Sequence, residues 1–380
     1  MANIQALGEL INWVDVRNKG VISDNLLGIN IDKFFMPSVA NIIGTDLSSY
    51  KLINNKQFAC NPMHVGRDEK MPIALYMDDS PSIVSPAYFV FEVKDGAKIN
   101  PEYLMLWFRR AEFDRECWYH TDGSVRGGIT WDEILEMAVP VPSIEEQNEL
   151  VKSYRDIGRR IQIKKEINDN LEEQIKTIFI EKIIHNSDFD KWEMRSIAQL
   201  ANVVDNRGKT PPHYKTETDF PLIEIGAIHS SGRVIDYDYV EKYVSEECYN
   251  TCFRSGHPHN FDTLMSTVGS LAELKLFIGD KGSIAQNLVA FHCLDSKYAL
   301  YLYQYLLFKR NDLLSYEIGS VQASIKVSQV IHYSIKIPTD SLIDKFNAVA
   351  KPLSMKIYQN SVEILSLQKM KKLILSALSR

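Results

Sequence analysis

The sequence predicts a mixed α/β chain built from two tandem copies of one domain, each copy followed by a long helix. The two helices are expected to pair as an antiparallel coiled coil, with the copies related by a pseudo-two-fold axis. Three observations carry this expectation: an internal repeat, a proline-ended strand before each helical stretch, and a narrow apolar stripe along both stretches.

The repeat comes first because overlooking one misreads a whole fold. LGELINWVDVRNKG (7–20) and IAQLANVVDNRGKT (197–210) match at six of fourteen positions, including Asn12/Asn202, Asp15/Asp205, Arg17/Arg207 and Lys19/Lys209, at an offset of 190. FACNPMHVGR (58–67) lies against FDTLMSTVGS (261–270), sharing Phe, Val and Gly. GSVRGGITWDEILEMAVPVP (123–142) meets GSVQASIKVSQVIHYSIKIP (319–338) without a gap at an offset of 196. The three matches keep their order, so the chain is two copies of one unit.

Both copies close alike. AVPVP and SIKIP read as short strands ended by Pro. Ser143 and Glu146 then form S-x-x-E, a capping box that starts a helix. Its apolar stripe runs Leu150, Tyr154, Ile157, Ile161 and, after a slip near Lys164 and Lys165 that suggests a stutter, Ile167, Leu171, Ile175, Ile178. The second stripe runs Phe346, Val349, Leu353, Ile357, Ile364, Leu367, Met370, Ile374, Leu378. Steps of 3 and 4 confined to one narrow face mark a coiled-coil seam. Pro352 predicts a kink or a broken first turn in the second helix. The expected domains are residues 1–142, a helix over 143–185, residues 186–338, and a helix over 339–380.

Composition bounds the function. A chain of 380 residues allows two or three domains, and 45% hydrophobic with 24% charged residues is globular. No apolar run is long enough for a membrane span and the start lacks a signal pattern, so a soluble, cytoplasmic protein is expected. Five scattered cysteines fit a reducing compartment. A net charge of -6 lacks the basic footprint of a stand-alone nucleic-acid binder.

Catalytic motifs are weak. Gly208-Lys209-Thr210 ends like a P-loop, but Val203 stands where the first Gly belongs, and Pro211-Pro212 follow where a helix is needed. No Gly-rich methyl-donor loop with an Asn/Asp-Pro-Pro-aromatic tetrapeptide is present, and no nuclease carboxylate cluster stands out. Cys248, Cys252, His257 and His259 have zinc-ligand chemistry at an uncommon spacing, which copy one lacks, so no metal is expected.

The loops carry more. GSVRGG and GSVQAS each join small residues to one long polar side chain, Arg126 or Gln322; Arg suits guanine, Gln suits adenine, and Gly and Ser let backbone approach phosphate. Residues common to both copies should do sequence-neutral work: Arg17/Arg207, Lys19/Lys209 and Ser124/Ser320. Divergent residues are the candidates for reading bases: His64 and Arg67 in copy one, then His213, Tyr214, Lys215, His229, Arg233, Ser266 and Thr267 in copy two.

Taken together, WEMRSIAQLANVVDNRGKTPP, GSVRGGI...VPVPSIEEQNELV and the domain, helix, domain, helix order resemble the specificity subunit of type I restriction-modification enzymes over almost the whole chain. That resemblance implies a non-catalytic, DNA-binding host-defence component with two target-recognition domains, each reading half of a bipartite asymmetric site. It implies two modification subunits that carry S-adenosylmethionine and DNA methylation, with restriction subunits adding ATP and Mg chemistry where present. No cofactor is expected on this chain. Helices of roughly 40 residues would form a rod of about 60 Å, on the order of 17 base pairs, a ruler for the half-site spacing. The rival expectations are a stand-alone nucleotide- or metal-dependent hydrolase and a coiled-coil assembly scaffold.

Overall fold

The computed structural model describes residues 3–39, 44–121, 127–208, 210–279, 281–319 and 323–378, apart from the side chain of His64. The chain divides into two compact units, residues 1–159 with 368–380, and residues 160–367, so each unit includes part of both long helices.

In unit one, Asn3–Ala6 pairs antiparallel with Ala138–Val141, so that the chain's first strand meets the proline-ended strand before the helix. The one-turn helix Leu7–Leu10 leads into a four-stranded antiparallel sheet whose spatial order is Ile11–Val14, Phe89–Val93, Phe58–Cys60, Ile73–Leu75. One face of this sheet packs on Pro101–Phe108, a helix nucleated by Asn100 as N-cap and Pro101 in its first turn. Phe58, Phe91 and Phe108 interlock there, with ring centroids 5.0 Å, 5.7 Å and 6.0 Å apart.

Unit two repeats the plan. Glu193–Ser196 pairs with Ser334–Ile337, and the sheet runs Ala201–Val204, Leu288–Cys293, Thr263–Ser266, Leu274–Leu276. Its covering helix, Ala299–Phe308, is buried almost all round.

Register tests the sequence match. Phe91 stands opposite Trp13 and Phe58, whereas Phe291 stands opposite Val203 and Thr263. Thr263, not Phe261, is therefore the counterpart of Phe58. The shared Val-Gly does coincide: Gly66 N–H donates to Gly127 O at 2.9 Å, and Gly269 N–H donates to Ala323 O at 3.3 Å. Copy one thus holds two extra residues between Pro62 and Gly66, and the Phe match is displaced by two, which leaves the side-chain face unchanged.

The copies differ most in a second, smaller sheet. Both contain one parallel pair, Leu26–Ile29 with Ser82–Val84 and Pro221–Ile223 with Ser283–Ile284. Unit one adds Phe35–Pro37 and Lys51–Ile53 to make four strands; unit two adds Lys242–Tyr243 to make three.

The first long helix spans Ile144–Phe179 and continues as a π-turn over Ile180–Ile184; the second spans Asp340–Ala377. The Ser143 capping box forms, with Glu146 N–H donating to Ser143 Oγ at 3.3 Å and Ser143 N–H to Glu146 at 3.1 Å. Pro352 interrupts nothing: it lies exposed inside one continuous helix, where a missing N–H and an outward ring do the least harm.

The seam corrects the expected stutter. Inward positions on the first helix run 150, 154, 157, 161, 164, 168, 171, 175, 178, an unbroken alternation of 4 and 3 that passes through Lys164 and Asn168 and leaves Ile167 exposed. On the second helix the rhythm runs 343, 346, 350, 353, 357, 360, 364, 367, 371, 374, 378. Ala350 and Lys371 hold seam positions, while Val349 and Met370 point outward. In unit two, Asn360 Nδ2 donates to Asn168 Oδ1 at 2.8 Å, Lys164 pairs with Glu363 at 2.6 Å, and Phe179 packs on Phe346 with centroids 5.7 Å apart. In unit one, Lys371 Nζ sits 4.2 Å above the Tyr154 ring. Rising numbers on one helix meet falling numbers on the other, so the pairing is antiparallel within each unit.

Candidate nucleic-acid interface

The shared Arg of each copy is held in the same way. Asp15 takes Arg17 at 3.0 Å, and Arg17 Nη1 also donates to Ser49 O at 2.8 Å. Asp205 takes Arg207 Nε at 2.9 Å on both carboxylate oxygens, which raises the pKa of the guanidinium. Their side chains remain 35% and 44% exposed, and Lys19 is exposed beside the left-handed Gly20. An exposed ion pair is worth only about 0–1 kcal/mol, so an incoming phosphate can displace the aspartate at small cost. Arg67 follows the same rule, bonded to its neighbour Asp68 at 2.7 Å and 2.9 Å.

In unit two the chain gathers several candidate segments by hydrogen bonding. Thr210 Oγ1 accepts from Gln286 Nε2 at 3.4 Å, Asn287 O accepts from Thr267 N–H at 2.9 Å, and Thr267 O accepts from Ile325 N–H at 2.8 Å. The turn after Gly208, the 286–287 loop, the Thr267–Gly269 turn and the end of the closing loop thus form one connected edge. Unit one ties its closing loop to the matching turn: Ile129 N–H donates to Pro62 O at 3.4 Å, and a Cβ on Gly128 would come within 2.9 Å of Pro62 O. Only glycine permits that approach. Gln286, Asn287 and Gly128 were not singled out from sequence; the Gly127-Gly128 doublet was the one available signal, and Ala323-Ser324 does not repeat it.

His213, Tyr214 and Lys215 are exposed on one stretch, with Tyr214 bridged to Tyr243. His229 is exposed, with Nδ1 3.7 Å from Glu273. Ser124, Arg126, Lys209, Ser320 and Gln322, together with the side chain of His64, lie outside the described residues.

Three base-reading candidates are corrected. Arg233 is 0% exposed: Nε and Nη2 fork onto Glu172 of the first long helix at 2.8 Å and 3.1 Å, Nη2 also reaches Gln304 Oε1 at 2.6 Å, and Tyr303 lies under the guanidinium at 4.8 Å. Ser266 and Thr267 are equally buried, with Ser266 Oγ donating to Ser270 O and accepting from Glu273 N–H at 2.9 Å, and Thr267 Oγ1 donating to Asn287 O. Apart from Arg233 Nη1, which is buried without a hydrogen-bond partner, the polar groups named here are bonded inside the fold. Arg233 fastens its segment to the first long helix, and the other two shape the turn.

The four residues weighed for zinc do not converge. Cys248 Sγ donates to Pro212 O, Cys252 is exposed, and His257 stacks on Tyr249 at 3.7 Å while bonding Tyr249 O and Ser283 Oγ. After Thr210, the Pro211-Pro212 stretch is not helical, so the P-loop context is lacking. No helix among the described residues is long and apolar enough to cross a membrane.

Comparison with known proteins agrees with this arrangement. The profile of the Type I restriction modification DNA specificity domain matches twice, at residues 30–173 and 190–346. The chain is 22% identical over 308 residues to the type I restriction enzyme MjaIX specificity subunit of Methanocaldococcus jannaschii, covering 75% of this chain and 69% of that one. Among solved structures, the type I restriction-modification S subunit from M. genitalium superposes with a TM-score of 0.57 at 11% identity, over 100% of this chain and 96% of the other. The HsdS subunit from Thermoanaerobacter tengcongensis gives a TM-score of 0.39 at 14% identity, over 99% and 96%. With two matched domains, each built on the same sheet and joined to long helices, the chain belongs to the family of DNA specificity subunits of type I restriction-modification systems.

Proposed function

We propose that this chain reads a bipartite, asymmetric DNA target, one half with each recognition domain, and positions the catalytic subunits of its complex on that target. The observation that carries the proposal is the contrast between the halves: the same four-stranded frame, with the same Asp-held arginine, supports two different small sheets. Common elements suit phosphate, which carries no sequence; divergent elements suit base edges. Arg17 and Arg207 would set register, joined by Lys19 and Lys209. His213, Tyr214 and Lys215 would approach bases from one half, while Arg67 and His64 would do so from the other. The closing loops with Ser124, Arg126, Ser320 and Gln322 would complete each reader.

On this reading the chain performs no chemistry of its own and binds neither S-adenosylmethionine nor ATP. Two modification subunits would supply S-adenosylmethionine and adenine methylation, and restriction subunits, where present, would supply ATP and Mg chemistry. The acidic net charge fits a subunit whose partners share the phosphate neutralisation.

The test is methylome sequencing of cells expressing this chain with its modification subunit, against cells lacking only this chain. A gapped, two-part adenine motif that vanishes with the chain is expected. Its absence, in cells where the subunits co-purify, would favour the scaffold; ATP hydrolysis by the purified chain would favour the enzyme.

A further inference from the structure

We propose that His259, Asp262 and His292 of unit two form a binding site for one divalent cation of the zinc type. Among the described residues these three bring their ligand atoms within 4.8 Å of one another. Asp262 Oδ1 is 2.8 Å from His292 Nδ1, Asp262 Oδ2 is 3.8 Å from His259 Nδ1, and the two imidazoles lie 4.4 Å apart. Around tetrahedral zinc, bonds of about 2.0–2.2 Å place ligand atoms roughly 3.4 Å apart, so modest ring rotations close the set. Two imidazoles and a carboxylate are zinc donors, and His259, 66% exposed, leaves a fourth position open to water. The carboxylate beneath them is almost fully buried, and burial raises its pKa. A cation there would offset that desolvation.

The repeat separates this site from ordinary structure. In unit one the corresponding turn places Lys56 at φ +65, Gln57 Oε1 accepting from Asn54 N–H at 2.8 Å, and Gln57 Nε2 donating to Glu92 on the central strand at 2.8 Å. In unit two Phe261 adopts φ +68, Asp262 Oδ2 accepts from His259 N–H at 2.8 Å, and Asp262 Oδ1 meets His292 on the central strand at 2.8 Å. The strained turn and its bond across to the sheet therefore belong to the shared frame and need no histidine. The amides Asn54 and Gln57 of one copy are matched in the other by an imidazole and a carboxylate, and the lone carboxylate Glu92 by a second imidazole, so the full set of zinc-type donors occurs only in unit two. A bound ion would brace the 259–262 turn against the strand Leu288–Cys293, at the end of that strand opposite the Asn287 link.

The full chain, stripped with chelator, is titrated with zinc chloride by calorimetry and followed by thermal unfolding. One zinc per chain is expected, with the unfolded fraction falling roughly a hundred-fold when zinc exceeds its Kd by that factor. Asp262→Gln with His292→Glu copies the unit-one clasp, and should abolish binding while the stripped protein melts as before. His259→Asn, at an exposed position, should weaken binding about ten-fold or more even if the double variant does not fold. Cys252→Ser should change nothing. Substoichiometric zinc, or affinity unaltered by His259→Asn, would overturn the proposal.

Discussion

Arg233 separates the two roles open to a polar residue of a DNA reader. Replacing it by Ala removes a bidentate pair with Glu172, a bond to the buried Gln304 and a cation–π contact with Tyr303. Glu172 keeps partial access to solvent, with its side chain 24% exposed, but Gln304 does not. Breaking such a buried pair from one side costs about 3–5 kcal/mol, because the remaining groups are left unpaired. For a unit of roughly 200 residues, each kcal/mol lowers Tm by about 2–4 °C, so the unit-two transition should fall by on the order of 10 °C. Differential scanning calorimetry of the full chain measures this, and Arg233→Lys should lie between, since an ammonium cannot make the fork. A shift below about 2 °C accompanied by altered target sequence would refute the structural assignment and return Arg233 to base reading.

Other consequences follow from the same packing. Lys275 is buried, with Nζ donating to Ser230 O and Gly232 O, and burial pushes its pKa down to about 8. Between pH 8 and about 10.4 the unfolded chain then binds more protons than the folded one, so stability should rise with pH by up to roughly 3 kcal/mol relative to Lys275→Met; denaturant titrations at pH 7.5 and 10.5 that show no relative gain would contradict this. At the seam, Asn360→Leu alone should cost about 1–3 kcal/mol by leaving Asn168 Oδ1 without its partner, while the double Leu variant should recover most of that loss, as a double-mutant cycle would read. If the helices act as a ruler, the unbroken heptad makes seven residues the deletion that keeps the seam: removing seven from each helix shortens the pair by about 10 Å. The methylome motif should then lose roughly three base pairs of spacer at 3.4 Å each; an unchanged spacer would end the ruler idea.

The sequence by itself determined the repeat, the closing strands, the Ser143 cap and the existence of both long helices, because these rest on local signals: shared strings, hydrophobic period and capping chemistry. It also pointed to Arg17 and Arg207, whose Asp partners lie two residues away and keep them at the surface. Tertiary structure decided the rest. Asn168, Asn360, Lys164 and Lys371 were absent from a seam read by apolarity alone, since a polar residue enters a helix interface only when another helix supplies its partner. Ile167, Val349 and Met370 were assigned inward for the same reason, although hydrophobic residues are free to remain exposed. Arg233, Ser266 and Thr267 looked like readers because nothing local distinguishes a polar side chain facing DNA from one facing Glu172, Ser270 or Asn287. Those partners stand 61, 4 and 20 residues away, and the two distant ones are brought into reach only by the completed fold. His259 and His292, separated by more than thirty positions, meet over Asp262 because a strained turn and the central strand of one sheet carry them there.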